Sequence, residues 1–128
     1  NLPGMSVLHF GFDDENDDNP HRPENLSKDS IVYTGTHDND TTMGWWDSAT
    51  PERKVRVIEV GLSGENACDT LIRLAMESPA PLAIIPLQDI LQLGSDSRMN
   101  TPGKTTGNWA WRFDWPELTN GNWGAFKR

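Results

Sequence analysis

Apolar residues in this chain gather in short runs between long polar stretches, and three of the runs read as β-strands. Met5-Ser6-Val7-Leu8-His9-Phe10 is mixed and aromatic, and Ile31-Val32-Tyr33-Thr34 is β-branched and aromatic. Leu82-Ala83-Ile84-Ile85 is continuously apolar between prolines, the pattern of a strand buried on both faces. Helical sequence lies between the second and third runs. Thr50, Pro51 and Glu52 supply an N-cap, a proline suited to the first helical position and a first-turn acid. Val55, Ile58 and Leu62 then share one helical face, and Ala67, Leu71, Leu74 and Ala75 form a second stripe that Pro79 ends. A short helix is expected over Gln88–Leu93, with Gly94 as its left-handed cap. From Gly94 onward the chain reads as loop, with Trp109, Trp111, Trp115 and Trp123 spaced along it.

Strand, polar loop, strand, helices, strand, helix is an α/β order, and crossovers of this length join parallel strands. Each strand runs into polar residues at its C-terminal end: Asp13-Asp14, then His37-Asp38-Asn39-Asp40, then Gln88-Asp89. In a (β/α)8 barrel that end carries the chemistry. Three strands are fewer than half of such a barrel. The first residues, Asn1-Leu2-Pro3-Gly4, lack a Met, and the chain is expected to be cut from a longer one.

Composition narrows the partners. A net charge of −8 argues against a nucleic-acid backbone and against an anionic membrane surface. The apolar run Ala80–Leu87 is far too short to span a bilayer, and no signal peptide is visible. The single cysteine, Cys68, excludes an internal disulfide and fits a reducing, cytoplasmic setting. Six Trp against one Tyr is unusual, and indole faces stack on sugar rings as well as packing cores.

Tyr33 to Thr42 is the densest chemistry, with hydroxyls, an imidazole, an amide and two carboxylates at one strand end. Such a cluster can grip sugar hydroxyls while a carboxylate supports positive charge at an anomeric carbon. Its competitors are a loop whose Asp and Asn cap the next helix, and a metal site built from His37, Asp38 and Asp40. No second His stands at a helical spacing, so the expectation is no metal. Asp13, Glu15, Asp17 and Glu24 mimic a calcium loop, but Asp18 sits where its sharp turn needs Gly, so this is a solvated acidic loop. Gly103-Lys104-Thr105 lacks the earlier Gly of a phosphate loop, Arg98 standing there instead. Arg98 to Gly103 is either a plain Pro-Gly turn or a segment whose Asn100 reaches back over the strand ends.

Thr36-His37-Asp38-Asn39-Asp40-Thr41-Thr42 with Gly44-Trp45-Trp46 strongly resembles the last barrel motif of the 4-α-glucanotransferases, the amylomaltases or disproportionating enzymes of the α-amylase superfamily. Leu2-Pro3-Gly4-Met5, Pro86-Leu87-Gln88-Asp89 with Gly94-Ser95, Arg98-Met99-Asn100-Thr101-Pro102-Gly103, Gly107-Asn108-Trp109 and Trp111-Arg112 extend the resemblance in the family's order. Two positions depart from it: Gly11, where a slightly larger small residue is common, and Leu26, where many members carry an aromatic.

The resemblance implies an α/β fold in which residues 1–128 are a C-terminal portion of a (β/α)8 TIM barrel, about strands six to eight. It implies transfer of α-1,4-glucan segments between maltodextrins, with retention through a covalent glycosyl-enzyme and with no cofactor. By resemblance Asp38 holds the hydroxyls of the distorted, reacting glucose, and His37 is its neighbour in that subsite. Phe10, Asp14 and Asn100 match positions that contact bound glucan. The nucleophilic Asp and the acid/base Glu belong to earlier strands, so the rest of the barrel is an implied partner. A non-catalytic glucan-binding remnant and a metal-binding loop protein are the alternatives.

Overall fold

The structure, a computed structural model, describes residues 2–61 and 66–119. Leu62 and Trp123, both named in the reading above, lie outside the described residues. Three strands form one sheet, β1 (Gly4–Val7), β2 (Ser30–Tyr33) and β3 (Leu82–Ile84), in the order β1-β2-β3. Both pairings are parallel, with Met5 opposite Ile31 and Ile31 opposite Leu82. The long crossovers therefore do what their length requires.

The first strand is shorter than its apolar run. It stops at Val7, and Leu8–Phe12 wind into a 3-10 helix. Leu8 and Phe12 both enter the core. A strand would have carried them about 13 Å apart, whereas a helical turn lets both reach one place.

The described residues also form five short α-helices: α1 (Thr42–Asp47), α2 (Pro51–Glu59), α3 (Ala67–Glu77), α4 (Leu87–Ile90) and α5 (Trp115–Thr119). α2 starts as its sequence dictates, the Thr50 side chain accepting a hydrogen bond from the Arg53 N–H at 3.3 Å. Its inward face differs from the expected one. Val55 and Ile58 are exposed, while Val57 is fully buried and Val60 packs on the core. Polar docking sets this rotation: Arg56 donates to the Phe12 carbonyl at 3.0 Å and Arg53 to Asp13 at 2.6 Å. Residues 53, 56, 57 and 60 therefore share the inward face, and apolar periodicity alone picks the wrong side.

α3 has an Asn66 cap that accepts from the Asp69 N–H, and it buries Ala67, Leu71 and Ala75 as expected, with Cys68 and Ile72 beside them. α4 ends earlier than expected. The Leu93 N–H donates to the Gln88 carbonyl at 2.9 Å and the Gln92 N–H to the Asp89 carbonyl at 3.1 Å, the paired bonds of a Schellman motif. Its left-handed residue is Gln92, at φ 57°, while Gly94 is extended. Two short helical pieces also interrupt the expected C-terminal loop, the 3-10 turn Ser95–Ser97 and α5. α5 begins in a reciprocal cap: Asp114 accepts from the Glu117 N–H at 2.8 Å and Glu117 from the Asp114 N–H at 3.0 Å.

The core, Leu8, Phe12, Leu26, Val32, Trp45, Val57, Leu71 and Ala75, lies between the helices and one sheet face, onto which Ala83 also packs. Leu26 fills this core as an aliphatic side chain. The other sheet face is open, with Met5 56%, Leu82 49% and Ile84 39% exposed. The expectation that β3 is buried on both faces therefore fails here, because no layer of the described residues covers that side. Among the described residues no helix is long and apolar enough to cross a membrane.

Candidate active site

β2 delivers its polar run to the C-terminal edge of the sheet. The Asn39 N–H donates to the Thr36 carbonyl at 3.1 Å, closing a turn with His37 and Asp38 at its tip. The Asn39 side-chain oxygen braces the turn by accepting from the Thr36 N–H and hydroxyl, both at 2.8 Å. Asp38 is thereby half-exposed, and its Oδ1 accepts from the Asn100 amide at 2.6 Å, with His37 Nε2 at 3.4 Å. Arg98 donates to the Asp38 and Asn100 carbonyls, each at 2.8 Å, and the Asn100 N–H donates to the His37 carbonyl at 3.1 Å. The His37 ring meets the Trp109 indole at 5.1 Å.

All of these residues except Asn100, which stands behind Asp38, border a cleft of about 470 Å³. Its polar wall includes Thr36, His37, Asp38 and Arg98, and its apolar wall includes Tyr33, Ile84 and Trp109. Trp109 holds a left-handed backbone at φ 60°, its N–H donating to the Met99 carbonyl at 2.7 Å. A non-glycine residue there is strained, and such positions cluster at functional sites.

The helix-cap competitor for Asp38 is overturned. α1 is capped by Thr41, whose hydroxyl accepts from the Gly44 N–H at 3.1 Å. The two readings of Arg98–Gly103 both hold. Thr101 to Lys104 is a turn with Gly103 at φ 85°, and Asn100 just before it reaches back to Asp38. The metal competitor loses Asp40, which accepts from Ser95 and from the Thr41 N–H, each at 2.7 Å. Among the described residues no group of three His, Cys, Asp or Glu side chains could hold a metal ion. In the acidic loop Arg22 takes up Asp17 and Glu24 at 2.9 and 2.7 Å, so those carboxylates do not converge on a vacant point.

Of the five site residues expected from the sequence, His37, Asp38 and Asn100 come together. Phe10 and Asp14 do not border this cleft. Phe10 is exposed with its ring edge-on to His21 at 5.5 Å, and Asp14 accepts from the Asn16 N–H and the Asn19 amide beside a second, acidic depression.

Beneath the cleft lies a polar cluster around Asp89, which the sequence marks only as a polar residue at a strand end. Asp89 is 1% exposed and accepts from the Thr34 hydroxyl, the Thr42 hydroxyl and the Thr42 N–H at 2.7, 2.7 and 2.8 Å. Burial pushes its carboxyl above the usual range, and these hydrogen bonds oppose that shift. His9 Nε2 stands 2.9 Å from the Thr42 hydroxyl. With the hydroxyl proton directed at Asp89, its oxygen accepts from His9, which is then the Nε2–H tautomer. The placement of Asp89 straight after β3, in a block shared with the family, was the signal that could have marked it.

A family model described as 4-alpha-glucanotransferase (Glyco_hydro_77) matches residues 1–119. This chain belongs to that family. The 4-alpha-glucanotransferase of Synechocystis sp. is 51% identical over 123 residues, covering 94% of this chain and 24% of the relative. That of Thermus thermophilus is 48% identical over 120 residues, covering 87% and 24%, and the chloroplastic/amyloplastic one of Solanum tuberosum is 50% identical over 112 residues, covering 86% and 19%. Among solved structures, the amylomaltase from Streptococcus agalactiae in complex with acarbose superposes with a TM-score of 0.87 at 35% identity, over 93% of this chain and 24% of that one. This glucanotransferase-family chain thus spans about a quarter of the length of the relatives it matches. The likeness extends to an α/β fold with a parallel sheet.

Proposed function

We propose that residues 1–128 are a C-terminal portion, about strands six to eight, of the catalytic barrel of a cytoplasmic 4-alpha-glucanotransferase. The enzyme moves α-1,4-glucan segments between maltodextrins by a retaining mechanism, and its nucleophilic Asp and acid/base Glu come from earlier strands. In this reading the open face of Met5, Leu82 and Ile84 is barrel interior, which such barrels fill with layers of side chains. The Streptococcus agalactiae neighbour's complex with acarbose supports an α-glucan as the ligand. By the same resemblance Phe10, Asp14 and Asn100 contact the bound glucan.

The observation that carries the reading is the placement of Asp38. It is a half-exposed carboxylate at the C-terminal edge of a parallel sheet, oriented by Asn100 and His37. Glycosyl transfer builds positive charge at the anomeric carbon and flattens the ring. A fixed carboxylate that accepts sugar hydroxyls tightens as the ring distorts, so it stabilises the transition state more than the ground state. Asp38→Asn in the complete enzyme keeps the shape, removes the charge and turns one acceptor into a donor. We expect kcat to fall on the order of 10²–10³-fold or more, with an unchanged melting temperature. Near-normal turnover by this variant would falsify the assignment.

A further inference from the structure

The turn that carries His37 and Asp38 faces solvent, yet both of its ends are tied to one buried group. Thr34 is the first residue after β2, and Thr42 is the first of α1. Everything between them, residues 35–41, is the candidate catalytic loop. Asp89 Oδ2 accepts from the hydroxyls of both threonines, and Oδ1 accepts from the Thr42 N–H. One carboxylate from α4 therefore closes the base of the loop, 47 residues along the chain from Thr42. Through the same Thr42 hydroxyl it also engages His9, from the 3-10 helix that follows β1. Segments leaving all three strands meet at this point.

We propose that Asp89 is a positioning residue for Asp38, fixing where the loop leaves and re-enters the protein body. This rests on the reading of Asp38 as the residue that stabilises the reacting sugar. Asp89 touches no substrate, since its hydrogen bonds are all directed into the interior. The braces at the loop tip, Asn39 and Asn100, set the shape of the turn. They do not set its height over the sheet, because Asn100 belongs to another loop. The only side chain that binds both loop ends is Asp89, among the described residues.

Asparagine at this position cannot reproduce the arrangement. Its single carbonyl can face the Thr42 N–H, which puts the amide donors where two hydroxyls donate. The Thr42 hydroxyl, which already accepts from His9, could accept from the amide only with its second lone pair, and its own proton would then lose the acceptor that Asp89 provides. The loop ends must shift. Displacements near 1 Å away from the chemistry can cost about 10²-fold in rate.

The test is a double-mutant cycle in the complete enzyme, with Asp38→Asn, Asp89→Asn and both together assayed for kcat, KM and melting temperature on maltotriose. If Asp89 positions Asp38, Asp89→Asn lowers kcat by about tenfold to a hundredfold with little change in KM. In the Asp38→Asn background it then costs less than about twofold, because there is no charge left to position. Equal losses in both backgrounds overturn the positioning role and leave a purely structural carboxylate. Failure of the functional reading is distinguishable, since it appears in the Asp38→Asn arm alone as retained turnover. If Asp89→Asn does not fold, Thr34→Val runs the same cycle. It is close in shape and removes one of the three hydrogen bonds, so a smaller coupled loss in kcat supports the proposal and additivity overturns it.

Discussion

The imidazole of His9 lies flat on the indole of Trp45, with ring centroids 4.6 Å apart and planes 2° from parallel. Phe12 packs against the same indole at 5.9 Å, and the Arg53 guanidinium stands 5.7 Å from its centre. Trp45 is therefore a core residue that ties α1 to the segment after β1, and its place near the acidic loop does not make it a sugar platform. Trp45→Ala in the complete enzyme is expected to cost about 3–5 kcal/mol, read as a lowered melting temperature. KM for maltodextrins should hold below that temperature, and a stable variant with only its glucan binding impaired would contradict this.

His9 also predicts an acid limit. Burial first, and the Arg53 charge second, lower its pKa from 6.5 to about 3. Between those values the unfolded chain takes up a proton that the native ring refuses. The stability that His9 contributes is complete above about pH 6.5 and falls as pH drops toward 3, by about 1.4 kcal/mol per unit. Melting curves at pH 7, 6, 5 and 4 should decline more steeply in the wild type than in His9→Gln. Parallel declines would show that other groups carry the acid sensitivity.

Gly11 marks a close approach of two backbone segments. A Cβ there would lie 2.3 Å from the His21 carbonyl oxygen and 2.9 Å from Arg22 Cα, neither of which can rotate aside. Gly11→Ala should destabilise by about 1–3 kcal/mol, measurable by urea unfolding. An alanine variant of unchanged stability would show that the segment yields freely.

The half-exposed Met5, Leu82 and Ile84 predict how the isolated segment behaves. β1 and β3 both present unpaired edges beside an uncovered apolar face, a combination that promotes association. Residues 1–128 expressed alone should sediment as oligomers or aggregates, and should not produce glucose and longer dextrins from maltotriose. A monomer with a cooperative melt in analytical ultracentrifugation and calorimetry would refute the first half, and turnover the second.

Much of the fold was legible because the punctuation is local. Thr50-Pro51 starts α2, Asn66 and Pro79 bracket α3, and the apolar runs locate all three strands. What the chain hid was settled by contacts distant in sequence. The inward face of α2 follows two arginines that dock on Asp13 and Phe12, which no apolar periodicity encodes. The early end of α4 depends on Gln92 accepting a left-handed backbone that glycine would take more readily. α5 was missed as well: its reciprocal Asp114–Glu117 cap is a local pattern, but the chain from Gly94 onward reads as loop. At the site, His37, Asp38 and Asn100 emerged from family motifs, and the structure adds the bonds that join them. Asp89 was legible only as a polar residue at a strand end; what it binds stayed hidden because its two threonine partners are 55 and 47 positions away.

The bonds between the turn at His37-Asp38 and the segment from Arg98 to Trp109 bear on how this region can be exchanged between relatives. Arg98 and Asn100 reach across to the backbone of the turn, the Asn100 amide holds the acid itself, and the Trp109 ring adjoins the imidazole. Each loop closes its own turn, but the placement of the acid relative to its amide depends on both. A chimera that grafts residues 36–42 alone brings an acid with no orienting amide, and one that grafts residues 98–109 alone brings an amide with nothing to orient. For recombination, and for inherited variation, the two loops form one heritable block despite the helices and the strand encoded between them.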